Sequence, residues 1–216
     1  MLKSRLITLV FATLLALTQP ALADELGRQI VMQGNQKGAT ACLACHGAKG
    51  EGQAGAGFPR LAGLNPVYLE KQLHGFADNS RKNSIMDSIA KALSENEIKA
   101  VSAYYAAQSP SSTPDTPTAD ASVIAAGKDL AMNGNWPNDI PACFACHGVD
   151  AQGIGATFPA LAGQHASYIK NQIQAWKTGQ RRNDPNGLMQ GIARRLSPDE
   201  VKAVSAYMAS LSASRK

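Results

Sequence analysis

Two copies of a five-residue pattern, Cys-x-x-Cys-His, constrain this chain more than any other feature of its sequence. They occupy residues 42–46 and 143–147. On one helical turn, this spacing lets two thiols bond to one edge of a porphyrin and puts the histidine under the iron, which is the attachment pattern of a c-type haem. The two motifs use all four cysteines of the chain: Cys42, Cys45, Cys143 and Cys146. The sequence therefore predicts two covalently attached haem c groups, and two haems on one small chain indicate electron transfer.

Other uses of paired cysteines explain the pattern less well. A Cys-x-x-Cys pair alone is also found in zinc half-sites, redox dithiols and disulfides. The two pairs together would supply the four thiolates of one zinc site. None of these alternatives explains why a histidine, His46 or His147, follows both pairs, and no strand pattern of a thioredoxin-like site lies nearby.

The two motifs belong to a longer internal repeat. Residues 42–73 align with residues 143–173, and the matches continue to the end of each half. The loops differ in length by a few residues, whereas the segments between them keep theirs. The chain is therefore predicted to contain a duplicated domain. The paired positions include Phe58-Pro59 with Phe158-Pro159, Leu61-Ala62-Gly63 with Leu161-Ala162-Gly163, Tyr68 with Tyr168, Gln72 with Gln172, and Met86 with Met189.

Residues 1–23 have the organisation of a secretory signal peptide. A basic start with Lys3 and Arg5 precedes a short apolar stretch over residues 7–17, and the small-residue sequence Ala21-Leu22-Ala23 ends the segment. The apolar stretch is short for a membrane span, which needs about 20 residues. We therefore predict export to the periplasm, the compartment in which c-type haem is attached.

The remaining chain divides at a stretch rich in proline, serine and threonine. Residues 111–119 contain prolines and no large apolar residue, which is typical of an extended linker. Two domains, 24–110 and 120–216, are therefore predicted. Helices are expected near residues 25–34, 66–77, 122–133 and 166–178, so that the fold class is all-α. The last helix of each domain is predicted from a capping box, Ser94 with Glu97 and Ser197 with Glu200, and from the apolar stripes that follow.

The second axial ligand of each iron decides between a carrier and an enzyme. A duplicated site is expected to repeat its ligand, and neither His74 nor His165 has a histidine at the matching position. Two methionine pairs do repeat, Met32 with Met132 and Met86 with Met189. We favour the second pair because about forty residues separate each methionine from its motif histidine, enough chain to reach the opposite face of the ring. The predicted metal ligands are His46, Met86, His147 and Met189.

Two prolines and several basic pairs complete the candidate residues. The carbonyl groups of Pro59 and Pro159 are predicted to accept the ring N–H of His46 and His147, which would fix ring orientation and ligand basicity. The formal charge of +5 falls by two without Lys3 and Arg5, and haem propionates would offset the rest, so no nucleic-acid partner is predicted. The basic pairs are expected to form solvated faces or to steer docking to an acidic partner. They are Arg81-Lys82, Arg181-Arg182 and Arg194-Arg195.

These motifs make the chain resemble the cytochrome c4 family over essentially its whole length after residue 23. The resemblance implies two tandem helical domains, each similar to mitochondrial cytochrome c, packed about a pseudo-twofold axis. It also implies His/Met ligation of each iron and hydrogen bonds from the histidines to Pro59 and Pro159. The function it implies is a periplasmic electron carrier of a respiratory chain, accepting electrons from a cytochrome bc1-type or other donor and passing them to a terminal oxidase, often at the membrane surface.

Two other functions remain open on sequence grounds. Dihaem subunits that resemble this chain accept electrons within flavocytochrome sulfide dehydrogenases and some alcohol dehydrogenases. A dihaem peroxidase is the third interpretation, but it requires an open or displaceable iron position, which the paired methionines argue against. No nucleophile–base constellation is recognisable, so we predict an electron-transfer protein with no small-molecule substrate of its own.

Overall fold

The structure is a computed structural model that describes residues 19–110 and 119–213, with side chains described from residue 24 onward. Residues 1–18 of the predicted signal peptide and residues 111–118 of the predicted linker lie outside this part. Residues 19–23 form the start of the first helix, which therefore begins before the predicted residue 25. Ala21-Leu22-Ala23 are good helix formers, and nothing in that segment stops the helix.

Over residues 19–110, the first domain shows five helices, with the haem-attachment motif on the second. They are α1 (Gln19–Gln33), α2 (Leu43–His46), α3 (Pro66–Ala77), α4 (Met86–Lys91) and α5 (Glu95–Ala107). A 3₁₀ turn over Ala54–Ala56 lies in the glycine-rich loop after the motif. The apolar core forms where α1, α3 and α5 meet, around Ile30, Leu69 and Val101.

The second domain repeats this order. Its helices are α6 (Ala121–Asn133), α7 (Cys143–His147), α8 (Ala166–Lys177), α9 (Leu188–Arg195) and α10 (Pro198–Ser210). Three 3₁₀ turns join them, over Trp136–Asn138, Val149–Ala151 and Pro185–Gly187. In the described parts of both domains, strand pairing is limited to isolated bridges. The predictions of an all-α class and a duplicated helical domain are confirmed.

A glycine allows the first and last helices of each domain to cross closely. A Cβ added to Gly27 of α1 would lie 2.4 Å from the Ala100 carbonyl oxygen of α5. At Gly127 of α6, the same atom would lie 2.1 Å from the Ala203 carbonyl oxygen of α10. These distances are far below van der Waals contact, so only glycine fits. This crossing holds the terminal helices of each domain together around the haem-attachment helix.

The last helix of each domain begins at the predicted capping box. Glu200 accepts a hydrogen bond from the Ser197 backbone N–H at 2.7 Å, and its own N–H donates to the Ser197 hydroxyl at 3.2 Å. In the first domain, Glu97 accepts from the Ser94 backbone N–H at 2.7 Å. The predicted apolar stripes are buried in the core: Ile98, Val101, Tyr105, Val201, Val204 and Met208.

The two domains contact each other through a reciprocal set of hydrogen bonds. The backbone N–H of Lys82 donates to the Gln180 carbonyl at 2.8 Å, and that of Arg182 donates to the Ser80 carbonyl at 2.7 Å. Arg81 and Arg181 lie opposite each other in an antiparallel bridge between these bonds. Because matching residues exchange matching bonds, the domains are related by a pseudo-twofold axis. Within the described residues, no helix is long and apolar enough to cross a membrane.

Candidate haem sites

Each Cys-x-x-Cys-His motif folds into a single helical turn. In the first domain, the His46 backbone N–H donates to the Cys42 carbonyl at 2.9 Å, which sets the cysteines one turn apart. Gly47 and Gly148 end the two turns with φ of 78° and 80°, a conformation that favours glycine. The backbone therefore leaves each turn sharply and starts the loop that covers the site.

The motif histidines are buried and oriented by the predicted proline carbonyls. His46 Nδ1 lies 3.2 Å from the Pro59 oxygen, and His147 Nδ1 lies 2.9 Å from the Pro159 oxygen. Burial lowers the pKa of both imidazoles below the usual value, which favours the neutral ring. With Nδ1 donating to the proline oxygen, Nε2 of each ring keeps its lone pair and has the chemistry of a metal ligand.

The cysteines of the two motifs are only partly exposed and form no disulfide. Burial raises the pKa of Cys42 and Cys143 to about 11, so neither thiol ionises readily at neutral pH. No group of three or more His, Cys, Asp or Glu side chains within the described residues is arranged to hold a metal ion. The alternative of one zinc site shared by the two cysteine pairs therefore finds no support.

A cavity of about 390 Å³ adjoins the first motif. Its lining includes Cys42, Cys45, His46 and Met86. The second domain contributes several further lining residues, among them Tyr168. The mainly apolar lining suits a haem, and residues of both domains surround the cavity.

The structure separates the candidate methionines by their surroundings. Met86 begins α4 and Met189 lies in the first turn of α9, and both side chains are half-buried. Met32 packs against the first-domain core, whereas Met132 is 52% exposed. Met208 is buried in the second-domain core, at the position that the buried Tyr105 holds in the first domain. Met32 and Met132 thus have unlike surroundings, whereas Met86 and Met189 occupy matching places.

Two buried arginines form the centre of the domain interface. Arg81 is 5% exposed and Arg181 is 4% exposed. Arg81 donates to the Tyr168 hydroxyl at 2.7 Å, and Arg181 donates to the Tyr68 hydroxyl at 3.2 Å. Both also donate to amide oxygens of Gln72 and Gln172. Each guanidinium therefore links its own domain to the other.

This arrangement corrects one prediction about the basic pairs. Arg81-Lys82 and Arg181-Arg182 were expected to form solvated faces, but only the second member of each pair is exposed. The first members are buried because each guanidinium stacks on an aromatic ring, at 4.4 Å from the Phe76 centroid for Arg81 and 4.1 Å from the Trp176 centroid for Arg181. The repetition of Arg, Tyr and Gln at matching positions is the sequence signal that could have indicated this cluster, although their burial shows only in the packed structure.

The buried arginines lack an acidic counter-ion in the described part of the chain. Their hydrogen-bond partners are hydroxyl and amide groups, and the ion pairs in the described residues, Arg28–Glu25 and His74–Glu95, lie elsewhere. Burial and the neighbouring Arg181 charge lower the pKa of Arg81. Two buried cations side by side favour an anionic group between them, which suits the propionates of a haem.

Among the residues that the structure describes, three buried polar atoms also have no hydrogen-bond partner: Ser102 Oγ, Trp176 Nε1 and Ser205 Oγ. Ser102 and Ser205 hold matching positions in α5 and α10, and Ser102 lines the first cavity. Buried polar groups are nearly always satisfied in folded proteins. Together with the thiols, the neutral imidazoles and the buried cations, these atoms fit a bound haem in each domain.

Comparison with known proteins also indicates two haem-binding domains. The family model described as "Cytochrome c" matches residues 27–107 and 124–212. A "thiosulfate dehydrogenase electron acceptor" of Stutzerimonas stutzeri (strain A1501) is 47% identical over 203 residues, covering 93% of this chain and 92% of the relative. The structure of reduced recombinant cytochrome c4 from Pseudomonas stutzeri superposes with a TM-score of 0.74 and 32% identity, covering 87% of this chain and 97% of that one.

A second solved structure is a thiosulfate dehydrogenase from Marichromatium purpuratum in its as-isolated form. It superposes with a TM-score of 0.80 and 45% identity. The match covers 86% of this chain but only 40% of that longer chain. This chain thus corresponds to one part of that protein.

Two haem c groups held by twin helical domains define a dihaem c-type cytochrome. The chain belongs to the cytochrome c family and is of the cytochrome c4-like kind, with haem c attached through its two Cys-x-x-Cys-His motifs. It is an electron-transfer protein, which exchanges electrons with redox partners.

Proposed function

We propose that this cytochrome is a periplasmic electron carrier that accepts electrons from a dehydrogenase of the thiosulfate dehydrogenase type and passes them toward a terminal oxidase. The observation that carries the donor assignment is the 47% identity, over nearly the whole length of both chains, to a thiosulfate dehydrogenase electron acceptor. A dehydrogenase releases electrons in pairs, and a dihaem chain holds two. The leader-like residues 1–23 support export.

The iron ligands we propose are His46 with Met86 and His147 with Met189. When bound, haem c supplies a one-electron Fe(III)/Fe(II) couple. The chain's residues hold the imidazoles neutral and oriented, exclude water from the apolar pocket, and compensate the propionate charge with Arg81 and Arg181. A thioether ligand stabilises ferrous iron relative to a second histidine.

The surface beside each proposed methionine suits brief contact with a redox partner. Ile85 is 49% exposed and Leu188 is 54% exposed, and each directly precedes a proposed ligand. Lys82 and Arg182 are exposed nearby in sequence. A small apolar patch with a basic rim favours fast, salt-sensitive association rather than a permanent complex.

The donor is tested by mixing the oxidised protein with thiosulfate and a catalytic amount of thiosulfate dehydrogenase. We expect full reduction of both haems, measured through the rise of the ferrous absorption bands. Thiosulfate alone should give no reduction. The matched reaction uses a quinol and a cytochrome bc1-type complex. Reduction in that reaction only would overturn the dehydrogenase as donor and leave the respiratory carrier as the function.

The ligation is tested by the optical spectrum of the reduced protein before and after carbon monoxide. We expect no change, because six-coordinate irons leave no position for the gas. A shift in half of the haem absorption would contradict one methionine assignment, and a shift in all of it would contradict both and favour an enzyme.

A further inference from the structure

A glutamine of the second domain binds the peptide group that precedes Arg60 of the first. Gln164 is 2% exposed. Its Oε1 accepts a hydrogen bond from the Arg60 backbone N–H at 2.9 Å, and its Nε2 donates to the Arg60 carbonyl at 2.9 Å. This paired contact crosses the domain interface and is buried from water.

The N–H of Arg60 and the carbonyl of Pro59 are the two ends of one amide group. The Pro59 oxygen lies 3.2 Å from His46 Nδ1. Gln164 and His46 therefore hydrogen-bond to opposite ends of the same amide. An amide whose N–H donates becomes a stronger acceptor at its oxygen, by about 10–30% per bond in condensed-phase estimates.

The second domain cannot form the same chain of bonds. Leu64 stands at the position matching Gln164 in the repeat, and Ala160 at the position matching Arg60. Leucine has no polar side-chain atom to accept from Ala160. His147 is held by Pro159 alone, at 2.9 Å, so the contrast between the domains lies in the second hydrogen bond to the amide and not in the length of the bond to the histidine.

We propose that Gln164 lowers the reduction potential of the first haem relative to the second by polarising the Pro59–Arg60 amide that holds His46. A stronger acceptor at Nδ1 makes the imidazole more basic, and a more basic ligand stabilises ferric iron. The inference rests on the proposed function, in which His46 ligates the first iron.

The guanidinium of Arg60 acts separately. It donates to the carbonyls of Ala62, Ala162 and Gly163, and none of these bonds involves the side chain of Gln164. Substitution of Gln164 therefore changes the amide while the buried positive charge keeps its partners.

The test compares Gln164→Leu with Gln164→Glu in the intact dihaem protein. Leucine, the residue of the matching first-domain position, removes the acceptor. We expect the equilibrium constant for reduction of the first haem to rise at least threefold, with the second unchanged, and the His46 Nδ1–H resonance of the reduced protein to move upfield. Glutamate keeps an acceptor for the Arg60 N–H, so neither readout should move in the direction seen with leucine.

Ser167→Ala is the matched control, because the Ser167 hydroxyl donates across the same interface to the Ala54 carbonyl at 2.8 Å without touching the amide. This variant should leave the reduction potentials of both haems unchanged. Unchanged potentials in both Gln164 variants, or equal shifts of both haems, would overturn the proposal. Shifts of the same sign in all three variants would assign the effect to interface damage. If the wild-type iron binds carbon monoxide, the proposed methionine ligation fails, while the Gln164 variants still report on the amide that holds His46, so the two failures are distinguishable.

Discussion

The two domains share their haem-binding parts and differ where they face each other. Both have the motif turn, the proline carbonyl, the glycine crossing and the buried arginine. Three of the differences lie at or next to the interface: Arg60 against Ala160, Leu64 against Gln164, and Phe76 against Trp176. Duplication has kept what each pocket needs and has varied the contacts between pockets. Two copies of one site thereby become two sites with different surroundings.

Loss of a proposed methionine ligand should be the largest change, and it should be confined to one domain. In Met86→Ala, we expect half of the haem absorption to respond to carbon monoxide, because one iron gains an open position. Met189→Ala should give the other half, with different band positions if the two pockets differ. Met132→Ala, at an exposed methionine, is the control and should leave the spectrum unchanged. A silent Met86→Ala variant would refute the ligand.

Removal of an interface arginine should come next. Arg181→Ala removes one of the donors to Gln72 and Gln172 and the donor to the Tyr68 hydroxyl, and we expect a loss of about 2–4 kcal/mol in the free energy of unfolding. Arg81→Ala should cost somewhat less, because Arg181 also bonds Asn183 through Nε. Urea unfolding of the holoprotein measures both. The exposed Arg182→Ala should change stability by less than about 0.5 kcal/mol; an equal loss there would show that burial of Arg181 is not the cause.

Substitution of the glycines at the helix crossings tests whether the first and last helices pack equally closely in the two domains. Gly27→Ala and Gly127→Ala should each cost about 1–3 kcal/mol of unfolding free energy through overpacking. The cost should be larger at Gly127, where the added atom would lie closer to the facing carbonyl. Gly191→Ala, within α9 where the nearest atom is 3.4 Å away, should be neutral or slightly stabilising. Thermal unfolding of the three variants measures these changes in stability. A Gly127→Ala variant as stable as the wild type would contradict the close crossing of the helices.

The capping boxes should give the smallest effect, about 0.5–1 kcal/mol at neutral pH for Glu97→Gln or Glu200→Gln. The N–H of Ser94 lowers the pKa of Glu97. Burial would raise the pKa of Glu200, but the hydrogen bonds of Ser197 outweigh it and lower the pKa. Carboxylates with lowered pKa stabilise the fold above their unfolded value of 4.5, and the contribution is lost as pH falls through the folded value. The difference between wild type and variant should therefore vanish in acid; a constant difference would exclude ionisation as its source.

The repeat made most of the fold predictable, because a feature present twice is distinguished from chance. The helices, the capping boxes and the predicted proline contacts were visible in this way. The burial of Arg81 and Arg181 was not, since a basic residue beside another is normally solvated and only the packing of two domains shows otherwise. The contact of Gln164 with Arg60 escaped prediction for a related reason. Neither residue is repeated, and their separation along the chain gives no local signal.

The hydrogen bonds from Lys82 to Gln180 and from Arg182 to Ser80 join main-chain groups, so ionic strength has little effect on their strength. Docking through a basic rim is screened by salt, whereas the spacing of the two domains is not. Raising the salt concentration should therefore slow the arrival of electrons from a partner while leaving their exchange within the molecule at its original rate. The rate of electron exchange between the two haems would therefore be the same in media of very different salinity.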